Sequence, residues 1–248
     1  MTKIPFFLFP GLTCTDRIFR PQKDALSDLC EVIVPDWIEP RRGERLEDFA
    51  RRWGESVWQN HFSQNARPES QLDPEMGGFI GGLSFGGMVF PFAGDVLRKH
   101  GVPIHAGLRI STVRYGKQIP ASFCFWWNSL CLLPFGGWNF VRLLCALSLK
   151  LFPQSLSFAR RETYLQILES PAIRSKRVLR MIAGWREDEC THDFPILQLH
   201  GLRDRLLPLR LVEAPEVQIL DAGHEMTLTR PEEVNRFLRG FLNHFMPN

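Results

Sequence analysis

Gly78-Phe79-Ile80-Gly81-Gly82-Leu83-Ser84-Phe85-Gly86-Gly87-Met88-Val89-Phe90 is the stretch on which the reading of this chain turns. A short apolar run, Gly78-Phe79-Ile80, has the composition of a buried strand, and Gly86 to Ala93 continues as the apolar start of a helix. Between them Gly82-Leu83-Ser84-Phe85-Gly86 has the form G-x-S-x-G. In that setting the string reads as a strained strand-to-helix turn that lifts a serine hydroxyl clear of the backbone. The string alone turns up by chance in roughly one chain in ten of this length, so its context has to carry the argument. The bland alternative is a glycine-rich turn with a solvated serine.

Around this stretch, short apolar runs alternate with helix-like segments: Phe6 to Phe9, Val32 to Val34, Phe79 to Ile80, Leu108 to Ile110, Ile196 to Leu199 and Val217 to Leu220. Such alternation predicts a mostly parallel sheet of about six strands with crossover helices, an α/β class fold. The last helix is the clearest. Pro231 opens it, Glu232 and Glu233 suit its N-terminal dipole, and Val234, Phe237, Leu238, Phe241, Leu242 and Phe245 fall on one face. Gln64 to Met76, polar with two prolines, reads as an exposed loop.

About eighty residues separate Ser111 from Phe194, far more than a simple crossover needs, so an insertion is expected between two strands. The domain expectation is a core of residues 1–112 and 193–248 and a helical cap of residues 113–192, placed before the strand that precedes Asp204. Ile119 to Val141 holds no charge and is rich in aromatics, with Phe123, Trp126, Trp127 and Trp138 as candidate pocket residues. Pro134, Gly136 and Gly137 interrupt it and Asn128 and Asn139 would need partners in lipid, which argues against a membrane span. A lid touching a membrane from outside stays open as an alternative. Arg160, Arg161, Arg174, Lys176, Arg177, Arg180 and Arg186 are interleaved with Glu162, Glu169, Glu187, Asp188 and Glu189, so the simpler reading is a solvated helical face of mixed charge.

At 248 residues the chain can bury one sizeable core. A net charge of +3 with no nucleic-acid motif gives no reason to expect a nucleic-acid partner. Six scattered cysteines without a C-x-x-C pair argue against both a disulfide framework and a metal site, and no cofactor is expected. The N-terminal apolar stretch is broken by Pro5 and Pro10 and lacks a small-residue cleavage site, so a cytoplasmic location is expected. Monomer and homodimer stay open.

A serine nucleophile needs a base and a carboxylate that orients the base. His224, in Ala222-Gly223-His224-Glu225, and Asp204, in His200-Gly201-Leu202-Arg203-Asp204, each follow a strand run, so both would reach the same sheet edge as Ser84. His61, His100, His105, His192 and His244 lie in polar loops or at helix ends, where solvation is the expectation; His200 is expected to bond within its turn. Asp193 precedes its strand and so sits at the wrong edge, and Asp221 is too near His224 in sequence. Two backbone N–H groups are also needed for a developing oxyanion. Phe85 follows the serine; Leu12, in the loop Pro10 to Cys14, is the second candidate.

Taken together, Pro10-Gly11-Leu12, Pro35-Asp36-Trp37, Gly82-Leu83-Ser84-Phe85-Gly86-Gly87, His200-Gly201-Leu202-Arg203-Asp204 and Gly223-His224 resemble the α/β-hydrolase superfamily along nearly the whole chain, most nearly its compact bacterial members. The resemblance implies that fold and a Ser84, Asp204, His224 triad, but no substrate. Two departures stand out: Pro10-Gly11 replaces the superfamily's usual His-Gly, and no room precedes the first strand for the N-terminal hairpin of larger members. A serine in place of an aspartate nucleophile argues against dehalogenase or epoxide-hydrolase chemistry. The expected activity is hydrolysis of a carboxylic ester on a small molecule. A thioester, or a binding protein without catalysis, is the alternative.

Overall fold

The computed structural model describes residues 3–122, 137–185, 192–212, 215–219 and 221–247. Six strands form one sheet: β1 Pro5–Phe9, β2 Glu31–Ile33, β3 Gly78–Leu83, β4 Ile104–Ile110, β5 Ile196–Gly201 and β6 Val217–Ile219. Their spatial order is β2-β1-β3-β4-β5-β6 and every pairing is parallel. The expected parallel sheet is therefore present. Strand ends differ by a few residues from the apolar runs, because the glycines flanking Phe79-Ile80 pair as strand despite their poor propensity.

An all-parallel sheet must be covered on both faces, and the alternation of β1 shows how. Phe7 and Phe9 point into one core with Ile80, Trp53 and Phe90, whereas Phe6 and Leu8 point into the other with Phe79, Leu83 and Phe241. The first core is closed by α2 Leu46–His61 and α3 Phe85–Lys99. These helices touch so closely that a Cβ added at Gly54 would lie 2.8 Å from the Ala93 Cα. The second core is closed by α1 Arg20–Leu26 and the last helix, α8 Pro231–Phe245. The apolar face of α8 packs as its periodicity predicts, with Val234, Leu238 and Leu242 inaccessible to solvent.

Between β4 and β5 lie α4 Gly137–Leu151, α5 Phe158–Glu169 and α6 Ala172–Gly184. α4 packs on α5 and α6, α6 also packs on α2, and α5 reaches the turn Asp16–Phe19 and the short α7 Met226–Thr229. Trp138 is buried on the first turn of α4; Phe123, Trp126 and Trp127 lie outside the described residues. Among the described residues, no helix is long and apolar enough to cross a membrane.

Because the chain goes from β1 outward to β2 and then returns to β3 on the other side of β1, the crevice at the C-terminal ends of β1 and β3 is a topological switch point. The loops after these two strands carry Leu12 and Ser84.

Candidate active site

Ser84 sits between β3 and α3 with φ +53° and ψ −117°, a conformation that a non-glycine residue adopts only under constraint. The constraint is visible. The Ser84 N–H donates to the Ile110 carbonyl at 2.9 Å, and its own carbonyl accepts from Thr112 Oγ1 at 2.7 Å and the Gly87 N–H at 2.9 Å. The flanking glycines let the strand and helix backbones meet. A Cβ on Gly82 would fall 2.3 Å from the Gly86 carbonyl carbon, and one on Gly86 would fall 2.0 Å from the Phe9 carbonyl oxygen. No side chain fits at either position.

The neighbouring loop is held against this turn: a Cβ built on Gly11 would lie 3.4 Å from the Ser84 Cβ. Its shape is fixed by the Cys14 N–H bond to the Gly11 carbonyl at 2.9 Å and by Trp37 Nε1, which donates to the Cys14 carbonyl at 2.8 Å. Trp37 also stacks on Phe85, ring planes 4° apart. Within the described residues, neither the Leu12 N–H nor the Phe85 N–H is bonded to another protein group. For Phe85 this follows from its place in the first turn of a helix, where N–H groups lack intrahelical acceptors.

Asp204 follows β5 and His224 follows β6, and the structure brings them together. Asp204 is buried; its Oδ1 accepts from the Leu206 and Leu207 N–H groups at 2.9 Å each, and its Oδ2 lies 2.8 Å from His224 Nδ1. Burial by itself pushes this carboxyl up. The His224 hydrogen bond and charge, with the Leu207 amide and His200, outweigh it and hold the carboxyl below its usual range. A carboxylate there accepts from Nδ1–H, which leaves Nε2 of His224 as the ring's lone-pair nitrogen. The imidazole keeps 18% of its surface open to solvent. No hydrogen bond joins His224 to the Ser84 hydroxyl in this structure.

The rivals are occupied elsewhere. Asp221 is exposed and paired with Arg203 and Arg230, and Asp193 with Arg98. His192 departs from the solvated expectation: its side chain is buried beside Phe194, 3.6 Å from Asp95, because the segment entering β5 packs down on α3. His200 bonds within its turn as expected, Nε2 lying 2.9 Å from the Leu207 carbonyl, and burial pushes its pKa down.

Several participants left no signal in the sequence. Thr112 clamps the serine carbonyl from the loop after β4, and is itself held by Gln198 Nε2 on its carbonyl at 2.9 Å. α5 is tied to both sides of the site: Gln166 Oε1 accepts from the Thr15 N–H at 2.8 Å, and Thr163 Oγ1 donates to Glu225 at 2.8 Å. Cys14 lies beside Gly11 in the same loop, its Sγ 3.4 Å from a Cβ built on Gly11. Burial, with the Glu225 charge, pushes its thiol up to about 12, so it stays protonated. Among the described residues no cluster of His, Cys, Asp and Glu could hold a metal ion.

The chain matches no protein-family model and no curated protein sequence. Solved structures match its fold across nearly the whole length. An esterase from Thermogutta terrifontis with malate bound aligns over 99% of this chain and 92% of its own, with TM-score 0.64 and 19% identity. The N-acyl homoserine lactonase AidH complexed with N-butanoyl homoserine aligns over 99% and 90%, with TM-score 0.66 and 15% identity. The esterase RhEst1 from Rhodococcus sp. ECU1013 aligns over 98% and 91%, with TM-score 0.66 and 15% identity. The fold is the α/β-hydrolase fold.

Proposed function

We propose that this chain, with its α/β-hydrolase fold, is a serine hydrolase that cleaves a carboxylic ester through an acyl-enzyme intermediate. The observation that carries the reading is the 2.8 Å bond between Asp204 and His224 on the sheet edge where Ser84 is held in its strained turn. Esterases and a lactonase among the structures of like fold agree with it.

In this reading His224 Nε2 takes the Ser84 Oγ proton as Oγ bonds to the acyl carbon. The electron pair displaced onto the acyl oxygen is held by the Leu12 and Phe85 N–H groups, and Asp204 stabilises the imidazolium. Collapse breaks the bond to the leaving alkoxide, which takes the proton from His224. Water then repeats the sequence, its proton passing through His224 to Ser84, and the acid is released. A thiol leaving group would use the same steps.

The core is assigned to residues 1–112 and 193–248 and the cap to residues 113–192. The bonds from α5 to Thr15 and Glu225 support that division, since they seat an inserted helix beside both the Leu12 loop and the His224 loop. Trp138, buried on α4, is assigned to the apolar side of the substrate site; Phe123, Trp126 and Trp127, expected beside it, lie outside the described residues.

The test is labelling of wild type and Ser84→Ala with a fluorophosphonate probe, beside p-nitrophenyl ester and acyl thioester hydrolysis over increasing acyl length. Labelling and turnover in wild type, both lost in Ser84→Ala, are expected. A folded wild type that neither labels nor turns over any ester or thioester would leave a binding protein as the reading.

A further inference from the structure

The chain preceding α2 and one face of α6 border a cavity of about 880 Å³ whose described lining includes none of the residues assigned to ester cleavage. Among the described residues, its lining brings Arg41, Arg42, Arg45, Lys176, Arg177 and Arg180 together with two carboxylates, Glu44 and Glu47. Both acids are already engaged. Glu44 accepts from Arg52 at 2.6 and 2.9 Å and from the Arg41 N–H at 2.7 Å, and Glu47 pairs with Arg45 at 3.3 Å. Arg177 donates to the Pro40 carbonyl and has no carboxylate partner among the described residues. Arg42, Lys176 and Arg180 have no carboxylate partner among the described residues. Lys176, Arg177 and Arg180 share this concavity with arginines some 130 positions earlier in the chain.

Like charges gathered across a gap repel, and an anion bridging them removes that cost. Arginine forks match the oxygens of phosphate, and several of them match more than one phosphate. The volume lies in the range of sites for drug-sized ligands and cofactors, and Leu46, Ile173, Met181 and Trp185 add apolar lining for the rest of such a molecule. A concave site with cations contributed from two segments suits a soluble ligand better than a flat lipid surface. We propose that this cavity binds a soluble small molecule through two or more phosphate groups, of the nucleoside diphosphate class.

The inference does not depend on Ser84, and the experiment uses the Ser84→Ala protein so that turnover cannot enter the result. Isothermal titration with ADP, pyrophosphate and inorganic phosphate is run at low salt and in 0.5 M NaCl, beside flotation with phosphatidylcholine vesicles with and without phosphatidylglycerol. Saturable one-site binding of ADP and pyrophosphate is expected, tighter than that of inorganic phosphate and weakened by salt. Arg42→Ala/Lys176→Ala/Arg180→Ala should weaken it at least tenfold, while Lys23→Ala, on α1, leaves it unchanged. Single Lys176→Glu and Arg180→Glu variants, with circular dichroism as the fold check, read the same loss if the triple variant does not fold. No saturable binding of ADP or pyrophosphate, equal binding by the charge variants, or vesicle binding without small-anion binding would each overturn the proposal.

Discussion

His200 Nε2 lies 3.6 Å from Asp204 Oδ2, both side chains closed to solvent, while the same nitrogen lies 2.9 Å from the Leu207 carbonyl. A carbonyl only accepts, so Nε2 carries the proton. Nδ1 is then left buried without a partner, and the ring is held neutral next to the carboxylate that orients His224.

That arrangement fixes a pH dependence of stability. Burial lowers the folded pKa of His200 below the ordinary 6.5, and His61 is lowered for the same reason, so between folded and unfolded values the unfolded chain binds more protons. Stability is then at its plateau above about pH 7 and falls as pH drops through the unfolded histidine value. Asp204, lowered from 3.8, adds a second loss at more acid pH as its carboxylate is protonated. Thermal melts between pH 7.5 and 4 should show this fall. In His200→Gln, whose amide can still donate to Leu207, the decline between pH 6.5 and 5 should be shallower.

Asp204→Asn keeps the size of the side chain but presents an amide that can donate to His224 Nδ1, favouring the tautomer with its lone pair on the wrong nitrogen. We expect kcat to fall by about 10⁴-fold with little change in KM, the signature of a lost orienting group. Steady-state kinetics on the best p-nitrophenyl ester check this. A fall of less than about tenfold would remove Asp204 from its role.

Gly86→Ala places a methyl where the Phe9 carbonyl already stands, so the turn must move. A stability loss of about 1–3 kcal/mol is expected from the overpacking, with loss of fluorophosphonate labelling in the protein that still folds. Thr112→Val is milder. It removes the hydroxyl bond to the Ser84 carbonyl, for about 1 kcal/mol of stability, and lowers kcat while KM holds. Chemical denaturation and labelling rates separate the two.

Cys14 should resist alkylation. With its thiol pushed up to about 12, peptide mass spectrometry after iodoacetamide treatment at pH 8 should find Cys14 unmodified in native protein and modified after denaturation.

Trp53 is fully buried, contacts Phe9, Trp37 and Phe49 through its ring, and donates from Nε1 to the Asp36 carbonyl at 2.8 Å. Trp53→Ala should cost about 3–5 kcal/mol of folding free energy in urea denaturation, because the hole lies between the sheet and α2.

The sequence by itself determined the sheet and the serine turn. Parallel strands buried on both faces must be apolar runs, α8 must carry its apolar residues at helical spacing, and a turn as crowded as that at Gly82 and Gly86 admits only glycine, so each feature is written locally. It also placed Asp204 and His224 on the right edge, since in a parallel sheet every loop that follows a strand opens on the same side. Only the tertiary structure decided that Thr112 clamps the serine carbonyl, that His200 sits against Asp204, and that α5 is bonded to Thr15 and Glu225. It alone showed that the cations of α6 meet Arg41, Arg42 and Arg45 across a cavity. These are meetings of single polar side chains from segments distant in the chain, and such contacts leave no periodicity for a sequence to display.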